Sequence, residues 1–298
     1  MKIIITGISG FVGQNLSQHL RNNHHDVQSL SLRQDWELDK IADSVIHLAG
    51  KAHDTENTSA DEEYFKVNTD LTKKIFDEFL DSDIKDFIYF SSVKATADTI
   101  DIILDETHTS NPKTPYGKSK LLAEEYLLSK KLAEGKRLFI IRPCMIHGPG
   151  NKGNLNLLYK VVEKGIPWPL AAFSNKRSFL SIDNLNFLIL QILTDRNITS
   201  GIYNFADDDL ISTNELIEII GEASGRKSKL LNIPSGLIIF IAKVGDKARL
   251  PLNSERLKKL TESYMVSNDK IKRVLALKNL PISAKEGLIK TIKSFQSK

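Results

Sequence analysis

Several features are scarce or absent in this 298-residue sequence, and each absence excludes a class of protein. A single cysteine, Cys144, excludes a disulfide within the chain and suits a reducing compartment. The longest apolar run, residues 236–242, is shorter than the roughly 20 residues that cross a bilayer. Charge of one sign does not dominate, because 41 basic and 37 acidic residues leave a net charge of +4. This balance argues against a nucleic-acid partner.

The start of the sequence and the apolar run also bear on location. Met1 and Lys2 lead directly into a strand pattern instead of a secretory signal, so we expect a cytoplasmic protein. Residues 236–242 predict a buried or interface helix, with no integral membrane segment. A peripheral contact with a membrane stays open for this run.

What the sequence does contain begins with a glycine loop directly after the first apolar strand pattern. Gly7 permits a tight turn, Gly10 lets the backbone approach a pyrophosphate, and Gly13 allows a helix to pack closely on the strand. The N-terminus of that helix attracts the anion. Taken alone, the loop is also consistent with a strand-to-helix turn that binds nothing.

A second motif places Tyr116 and Lys120 four residues apart in a helical pattern. Residues at this spacing are neighbours on a helix surface, so the ammonium group is expected to lower the pKa of the phenol. That pKa is otherwise about 10, which is too high for a good base near neutral pH. The two motifs together indicate proton transfer beside a bound dinucleotide.

Further motifs lie at residues 43–50, 67–68, 90–94, 142–143, 147–150 and 177–180. With the glycine loop and the Tyr116/Lys120 pair, they make nearly the whole chain resemble the extended short-chain dehydrogenase/reductases. Within that family it is most similar to the nucleotide-sugar epimerases, dehydratases and ketoreductases. The resemblance implies that Ser92 hydrogen-bonds the reacting sugar oxygen, Tyr116 exchanges its proton and Lys120 holds the nicotinamide ribose. A homodimer is compatible with it.

The resemblance also implies two sets of binding residues. The cofactor set is Gly7, Gly10, Phe11, Val12, Gly13, Ser31, Arg33, Leu48, Ala49, Gly50, Asn68, Tyr116, Lys120 and Pro143. The substrate set is Ser92, Val93, Lys94, Asn154, Arg177 and Arg256, where Arg177 and Asn154 are expected to hold the nucleotide diphosphate. Arg256 is equally consistent with a charged helix face.

The end of the second strand bears on the choice of cofactor. Ser31 and Arg33 occupy a region where an acidic residue would bind the hydroxyls of the adenosine ribose. A hydroxyl and a cation suit a 2′-phosphate, which favours NADP(H). NAD(H) stays open, because Arg33 also fits a solvated loop charge and a shifted loop would present Asp35 to the ribose.

The residues after Ser92 bear on the reaction. Dehydratases of the family place an Asp-Glu pair there, whereas this chain has Val93 and Lys94, which argues against dehydration. What remains is hydride transfer at C4 of a UDP-linked (N-acetyl)hexose. The segment resembles bacterial UDP-N-acetylhexosamine C4 epimerases and 4-ketoreductases, which supply surface polysaccharide precursors. We favour a 4-ketoreductase, because the acidic residue at the second strand and the dehydratase acids are both missing. A 4-epimerase and, more remotely, a non-catalytic cofactor sensor are the alternatives.

The histidines and the cysteine, which could bind metal or act as nucleophiles, are better explained by structural roles. His47 fits a strand histidine whose ring nitrogens are both hydrogen-bonded, and neither it nor His53 belongs to a cysteine or carboxylate cluster, so no metal is expected. Cys144 fits a small apolar residue at a strand end better than a reactive thiol.

Alternating strand and helix patterns predict an α/β fold, a doubly wound parallel sheet of the Rossmann type with a smaller C-terminal substrate-binding lobe. We expect the dinucleotide domain at 1–150 and mainly the second lobe at 151–298, with a segment near 180–205 returning to the first domain. Capping boxes at 212–215 and 283–286 predict two helix starts. The predicted strands are 2–6, 26–32, 43–48, 86–91 and 137–142, and the clearest helices are 61–81 and 115–134.

Overall fold

The computed structural model describes residues 1–51, 60–151, 153–248 and 253–296, so His53 lies outside the described residues. The strands are β1 (Lys2–Thr6), β2 (Asp26–Leu30), β3 (Ser44–His47), β4 (Asp86–Phe90), β5 (Ile103–Leu104), β6 (Arg137–Pro143), β7 (Met145–His147), β8 (Arg177–Ser181), β9 (Gly201–Phe205), β10 (Leu210–Ile211) and β11 (Met265–Val266).

The helices alternate with these strands in the first half of the chain and dominate the second half. They are α1 (Phe11–Asn22), α2 (Asp61–Tyr64), α3 (Leu71–Leu80), α4 (Pro115–Ser129), α5 (Asn154–Glu163), α6 (Ile182–Thr194), α7 (Thr213–Ser224), α8 (Ser235–Ala248), α9 (Ser254–Thr261), α10 (Asp269–Val274) and α11 (Ala284–Gln296). A π-helical segment, Phe65–Asp70, joins α2 to α3, and a 3₁₀ turn spans Val93–Ala95.

The main sheet has six parallel strands in the order β2-β1-β3-β4-β6-β9. Alternate residues of β1 enter different apolar clusters, since Ile3 and Ile5 pack on one face and Ile4 on the other. A sheet covered on both faces explains why its strands are nearly continuous apolar runs. The predicted α/β fold with a doubly wound parallel sheet is confirmed.

The strand order switches sides at β1, and this switch point determines where the site forms. β2 lies on one side of β1, and the chain then crosses to β3 on the other side. At such a switch point the loops after the two strands separate and leave a crevice at their carboxyl ends. The glycine loop follows β1 and residues 48–50 follow β3, so both border this crevice.

A second apolar cluster organises the C-terminal lobe around β8, with side chains from α5, α7, α8, α9 and α11. β8 pairs with β7 in parallel and with β10 in antiparallel orientation. The chain returns to the first lobe after residue 150, because β9 pairs with β6 in the main sheet.

Most predicted elements form, with differences at their ends. β2 ends at Leu30 instead of residue 32, and α4 ends at Ser129 instead of residue 134, because the Lys130 backbone is already extended. The predicted helix over 61–81 is divided by the π-helical segment into α2 and α3. The link between β2 and β3 is fully described and carries neither helix nor strand.

Both predicted capping boxes are present. Ser212 accepts a hydrogen bond from the Glu215 backbone, and the Glu215 carboxylate accepts one from the Ser212 backbone. Ser283 and Glu286 exchange the same pair of bonds before α11. In each case two otherwise unsatisfied backbone donors at a helix start are paired.

The apolar run 236–242 lies in α8, where the sequence predicts a buried or interface helix. Ile238 and Ala242 are buried, whereas Leu237, Phe240 and Ile241 are exposed. Within the described residues, α8 included, no helix combines the length and the apolar character needed to span a bilayer.

Candidate active site

The glycine loop has the shape that its sequence predicts. Gly7 has a φ of +69°, which side chains strongly disfavour, and a Cβ there would lie 2.7 Å from the Ala49 backbone nitrogen. A Cβ on Gly13 would lie 2.5 Å from the Gly7 carbonyl oxygen, so only glycine lets α1 approach β1 this closely.

The start of α1 fits the phosphates of a dinucleotide. Gly10 is the N-cap residue, and no side chain caps the helix there. A Cβ at Gly10 would approach only the Gly7 carbonyl oxygen, at 3.3 Å, so the surface above it is open. Unpaired backbone N–H groups and the helix dipole at this point favour an anion. Phe11 and Val12, also in the predicted cofactor set, pack partly buried against the core below the loop.

The end of β3 brings another part of the predicted cofactor set to the same crevice. Leu48 and Ala49 border Gly7, while a Cβ on Gly50 would lie 3.2 Å from Lys120 Nζ. Asn68 is fully buried in the π-helical segment, where its amide donates to the Lys51 carbonyl and the Ser119 hydroxyl. π-Helical turns recur at functional sites, and this one fixes an amide beside Lys120.

Ser92 and Tyr116 meet although they are distant in sequence. Ser92 follows β4, at the carboxyl edge of the sheet, and Tyr116 lies in the first turn of α4. The ring of Tyr64 meets Tyr116 edge-on, with ring centroids 6.2 Å apart. Burial raises the pKa of Tyr116, and interaction with the Ser92 hydroxyl opposes this shift.

Lys120 lies in the same site but does not do what its spacing predicts. Its ammonium donates to the Phe90 carbonyl at 2.8 Å and lies 4.9 Å from the centroid of the Tyr89 ring. The expectation that Lys120 lowers the pKa of Tyr116 is wrong for this structure, because burial dominates and raises that pKa. Burial also lowers the pKa of Lys120 to about 8, against the opposing effect of the Glu124 carboxylate.

A buried ion pair behind Lys120 was missed from the sequence. Glu124, one helical turn after Lys120, accepts hydrogen bonds from the Arg142 guanidinium and from the Ser91 hydroxyl. Glu124 and Arg142 are almost fully buried. The pair ties α4 to the ends of β4 and β6, and the Tyr-x-x-x-Lys-x-x-x-Glu spacing was the available signal.

Val93 and Lys94 continue from Ser92 into the 3₁₀ turn. Val93 is buried, whereas Lys94 lines a cavity that Tyr116 also lines. The Lys94 ammonium donates to the Asp98 carbonyl and lies 4.2 Å from the centroid of the Tyr264 ring. Burial lowers the pKa of Lys94, and the carboxylate of Glu262 opposes that shift.

A larger cavity of about 520 Å³ opens in the C-terminal lobe and contains both predicted arginines, Arg177 and Arg256. Lys259 lines this cavity and the one at Tyr116, so the two adjoin. Trp168 and Phe179 form an aromatic part of the wall of the larger cavity. Cations beside an aromatic wall suit a diphosphate joined to a base.

Arg177 is held in place by the end of α9. Its guanidinium donates to the Lys259 carbonyl at 2.6 Å and to the Glu262 carbonyl at 3.1 Å. Burial lowers the pKa of Arg177, and the Glu262 carboxylate 3.8 Å away opposes this shift. Contact with the nucleotide stays a prediction for Arg177 and Arg256, and the side chain of Asn154 lies outside the described structure.

Three residues of the predicted cofactor set lie at other edges of the crevice. Ser31 and Arg33 follow the end of β2 and are both exposed. Pro143 is buried at the end of β6, opposite Phe205 in β9. Their roles toward a cofactor stay predictions.

His47 and Cys144 are structural. The ring nitrogens of His47 are hydrogen-bonded to Thr6 at 2.7 Å and Thr72 at 2.9 Å, and burial lowers its pKa to about 3. Cys144 is buried, and burial raises its pKa well above the ordinary value, which keeps the thiol protonated. Among the described residues, no group of histidine, cysteine and carboxylate side chains could hold a metal ion.

Comparison with known proteins agrees with this geometry. Residues 3–206 match the model of the NAD dependent epimerase/dehydratase family. The chain is 28% identical to a UDP-glucose 4-epimerase of Vibrio cholerae, with 98% of this chain and 95% of that protein covered. It is 23% identical to a GDP-6-deoxy-D-mannose reductase of Pseudomonas aeruginosa, with 78% and 84% covered.

A solved structure shows the same fold. The UDP-N-acetylglucosamine 4-epimerase of Bacillus cereus superposes with a TM-score of 0.77 at 21% identity, and both chains are covered completely. The predicted resemblance to NAD(P)-dependent enzymes of the extended short-chain dehydrogenase/reductase type is confirmed. The chain belongs to the NAD dependent epimerase/dehydratase family.

Proposed function

We propose that this protein is a 4-ketoreductase that uses NADPH to reduce a UDP-linked N-acetylhexose with a C4 ketone. The observation that carries the proposal is the interacting Ser92–Tyr116 pair, with Lys120 in the same site and Val93 and Lys94 directly after Ser92. This arrangement can exchange one proton with a carbinol or ketone oxygen, and it lacks the acid pair that eliminates water in related dehydratases.

The protein's own residues then have distinct tasks. Tyr116 donates its proton to the ketone oxygen, and Ser92 hydrogen-bonds the same oxygen and keeps it in line. Lys120, whose ammonium donates to the Phe90 carbonyl, would hold the nicotinamide ribose of the bound cofactor. The bound nicotinamide cofactor supplies the hydride. Tyr64, edge-on to Tyr116, helps to bury the phenol.

The cofactor is expected to lie across the β1–β3 crevice. The uncapped start of α1 fits the pyrophosphate, and the buried amide of Asn68 beside Lys120 orders the nicotinamide end. Exposed Arg33 just beyond β2 is available to a 2′-phosphate, which supports NADPH.

The nucleotide half of the substrate would occupy the cavity of the C-terminal lobe. Arg177, Arg256 and Lys259 offer cations to the diphosphate, and Trp168 offers a ring face to the uracil. Because Lys259 also borders the cavity at Tyr116, the sugar would extend from the diphosphate toward Ser92 and Tyr116. A cytoplasmic location, where NADPH is supplied, stays a prediction.

A UDP-linked 4-keto sugar and NADPH test the reaction directly. The proposal predicts stoichiometric loss of absorbance at 340 nm by the purified protein, and hardly any loss with the Tyr116→Phe variant. The Arg273→Ala variant serves as the control, because Arg273 is exposed on α10, which packs on β9 of the main sheet. Interconversion of UDP-hexoses without net consumption of cofactor would refute the reductase assignment.

Binding of the nucleotide half can be tested without turnover. UDP and UDP-N-acetylglucosamine should raise the melting temperature more than N-acetylglucosamine does, because only the nucleotide forms offer a diphosphate. Arg177→Ala should lose most of this shift, while Arg273→Ala should keep it. Equal shifts for free sugar and nucleotide forms would contradict the nucleotide-sugar assignment.

The second candidate is a nucleotide-sugar 4-epimerase. Similarity over nearly the whole chain to the UDP-glucose 4-epimerase of Vibrio cholerae favours it, and its catalytic residues would be the same. An epimerase returns the hydride to the same substrate, so it would retain its cofactor through purification. Tightly bound NAD in the purified protein, together with interconversion of C4 epimers, would decide for this candidate.

A further inference from the structure

The outer face of α8 carries an apolar stripe. Leu237, Phe240, Ile241 and Val244 are 52%, 64%, 40% and 44% exposed, which is unusually high for large apolar side chains on one helix. They follow one another at intervals of three, one and three residues, the spacing of a continuous stripe along one face.

The neighbouring face of α8 already fills the core. Ile238 and Ala242 belong to the second-lobe apolar cluster, and Gly245 is buried below them. A surface helix of a globular protein is normally apolar only on the face that meets the core. Since α8 is apolar on both faces, its outer stripe is expected to contact something outside the chain.

Charge beside the stripe indicates what it contacts. Lys243 and Lys247 are exposed and lie three residues after Phe240 and Val244, so both flank the stripe. Asp246 lies farther from the stripe than the two lysines and accepts hydrogen bonds from Ser254. Apolar stripes flanked by lysine are typical of helices that lie on anionic membranes, whereas lysine is depleted from protein interfaces.

We propose that the outer face of α8 docks on an anionic membrane surface, with the helix lying in the headgroup layer parallel to the bilayer. The stripe would enter the apolar boundary, and the two lysines would meet lipid phosphates. α8 packs on α9, since Leu257 and Ile238 share one cluster, and α9 carries Arg256 to the substrate cavity. Docking therefore holds the substrate-binding lobe at the membrane, whichever reaction the site performs.

Co-sedimentation with vesicles tests the proposal. Vesicles of phosphatidylcholine mixed with phosphatidylglycerol should bind the full-length protein, and phosphatidylcholine alone should bind it less. Reversing two charges, in Lys243→Glu/Lys247→Glu, should weaken binding to the anionic vesicles by more than about tenfold. Phe240→Asp/Val244→Asp should abolish binding to both vesicles. Ile41→Asp, an exposed apolar position on the first lobe, is the matched control and should bind like the parent.

Two further measurements keep the result unambiguous. Thermal unfolding and turnover without vesicles should be unchanged in the Phe240→Asp/Val244→Asp variant, because the stripe lies outside the site. Equal binding of the parent to neutral and anionic vesicles, or to neither, would overturn the proposal. So would a parent dimer that the same variant converts to monomers without any vesicle binding, since a second copy would then cover the stripe.

Discussion

Replacement of Glu124 by glutamine tests how the buried ion pair supports the site. Glu124 and Arg142 have side-chain exposures of 1% and 3%, and the Arg142 Nε lies 3.0 and 3.1 Å from the two carboxylate oxygens. Glutamine keeps the shape and one acceptor oxygen but removes the negative charge. The guanidinium of Arg142 is then left buried without a counter-charge.

The structure sets the size of the effect. Removing one partner of a buried ion pair typically costs about 3–5 kcal/mol of the free energy of unfolding. Because the glutamine oxygen still accepts a hydrogen bond, we expect a loss of about 3 kcal/mol for Glu124→Gln. The Glu124 carboxylate also raises the pKa of Lys120, so its loss should move that pKa below about 8. Affinity for the cofactor should then fall at a lower pH than in the parent.

Urea unfolding followed by circular dichroism measures the first effect, and cofactor titration across pH measures the second. The double variant Glu124→Leu/Arg142→Met is the control, because an apolar pair of similar volume often replaces a buried ion pair without loss. It should recover most of the lost stability. A loss below about 1 kcal/mol in Glu124→Gln, or a double variant less stable than the single one, would refute the reasoning.

Three further predictions concern the catalytic residues and the cofactor. Tyr116→Phe should lower turnover by about two to four orders of magnitude with cofactor affinity nearly unchanged, and near-normal turnover in steady-state assays would contradict its role. Lys120 has a pKa of about 8 in the fold against 10.5 ordinarily, so the unfolded state binds more protons between these values and stability should rise with pH there. Lys120→Met should remove this rise of the free energy of unfolding with pH, which amounts to about 3 kcal/mol at roughly 1.4 kcal/mol per pKa unit. If urea unfolding gave the same dependence of stability on pH for the variant and the parent, this prediction would be contradicted. Arg33→Ala should weaken NADPH binding by about 1.5–3 kcal/mol and leave NADH binding unchanged, whereas equal losses in calorimetry would exclude a 2′-phosphate contact.

The sequence by itself determined the sheet and the glycine loop, and it located the candidate catalytic residues. Each depends on local rules: a buried parallel strand is a short apolar run, Gly13 is required where helix meets strand, and Ser212 with Glu215 caps a helix within four residues. Because these rules act only between residues close in sequence, they also explain where the sequence-based predictions were wrong. The spacing of Tyr116 and Lys120 shows that they share a helix face, but not which acceptor the ammonium chooses.

Only the tertiary structure decided the contacts between distant segments. The Lys120 ammonium donates to the Phe90 carbonyl, a contact that joins α4 to the last residue of β4. Glu124 finds Arg142 only because β6 lies next to β4 in the sheet, and Arg177 is oriented by carbonyl groups at the end of α9. Burial depends on these neighbours as well, so the sequence could predict an apolar helix at α8 but not which of its apolar side chains are exposed.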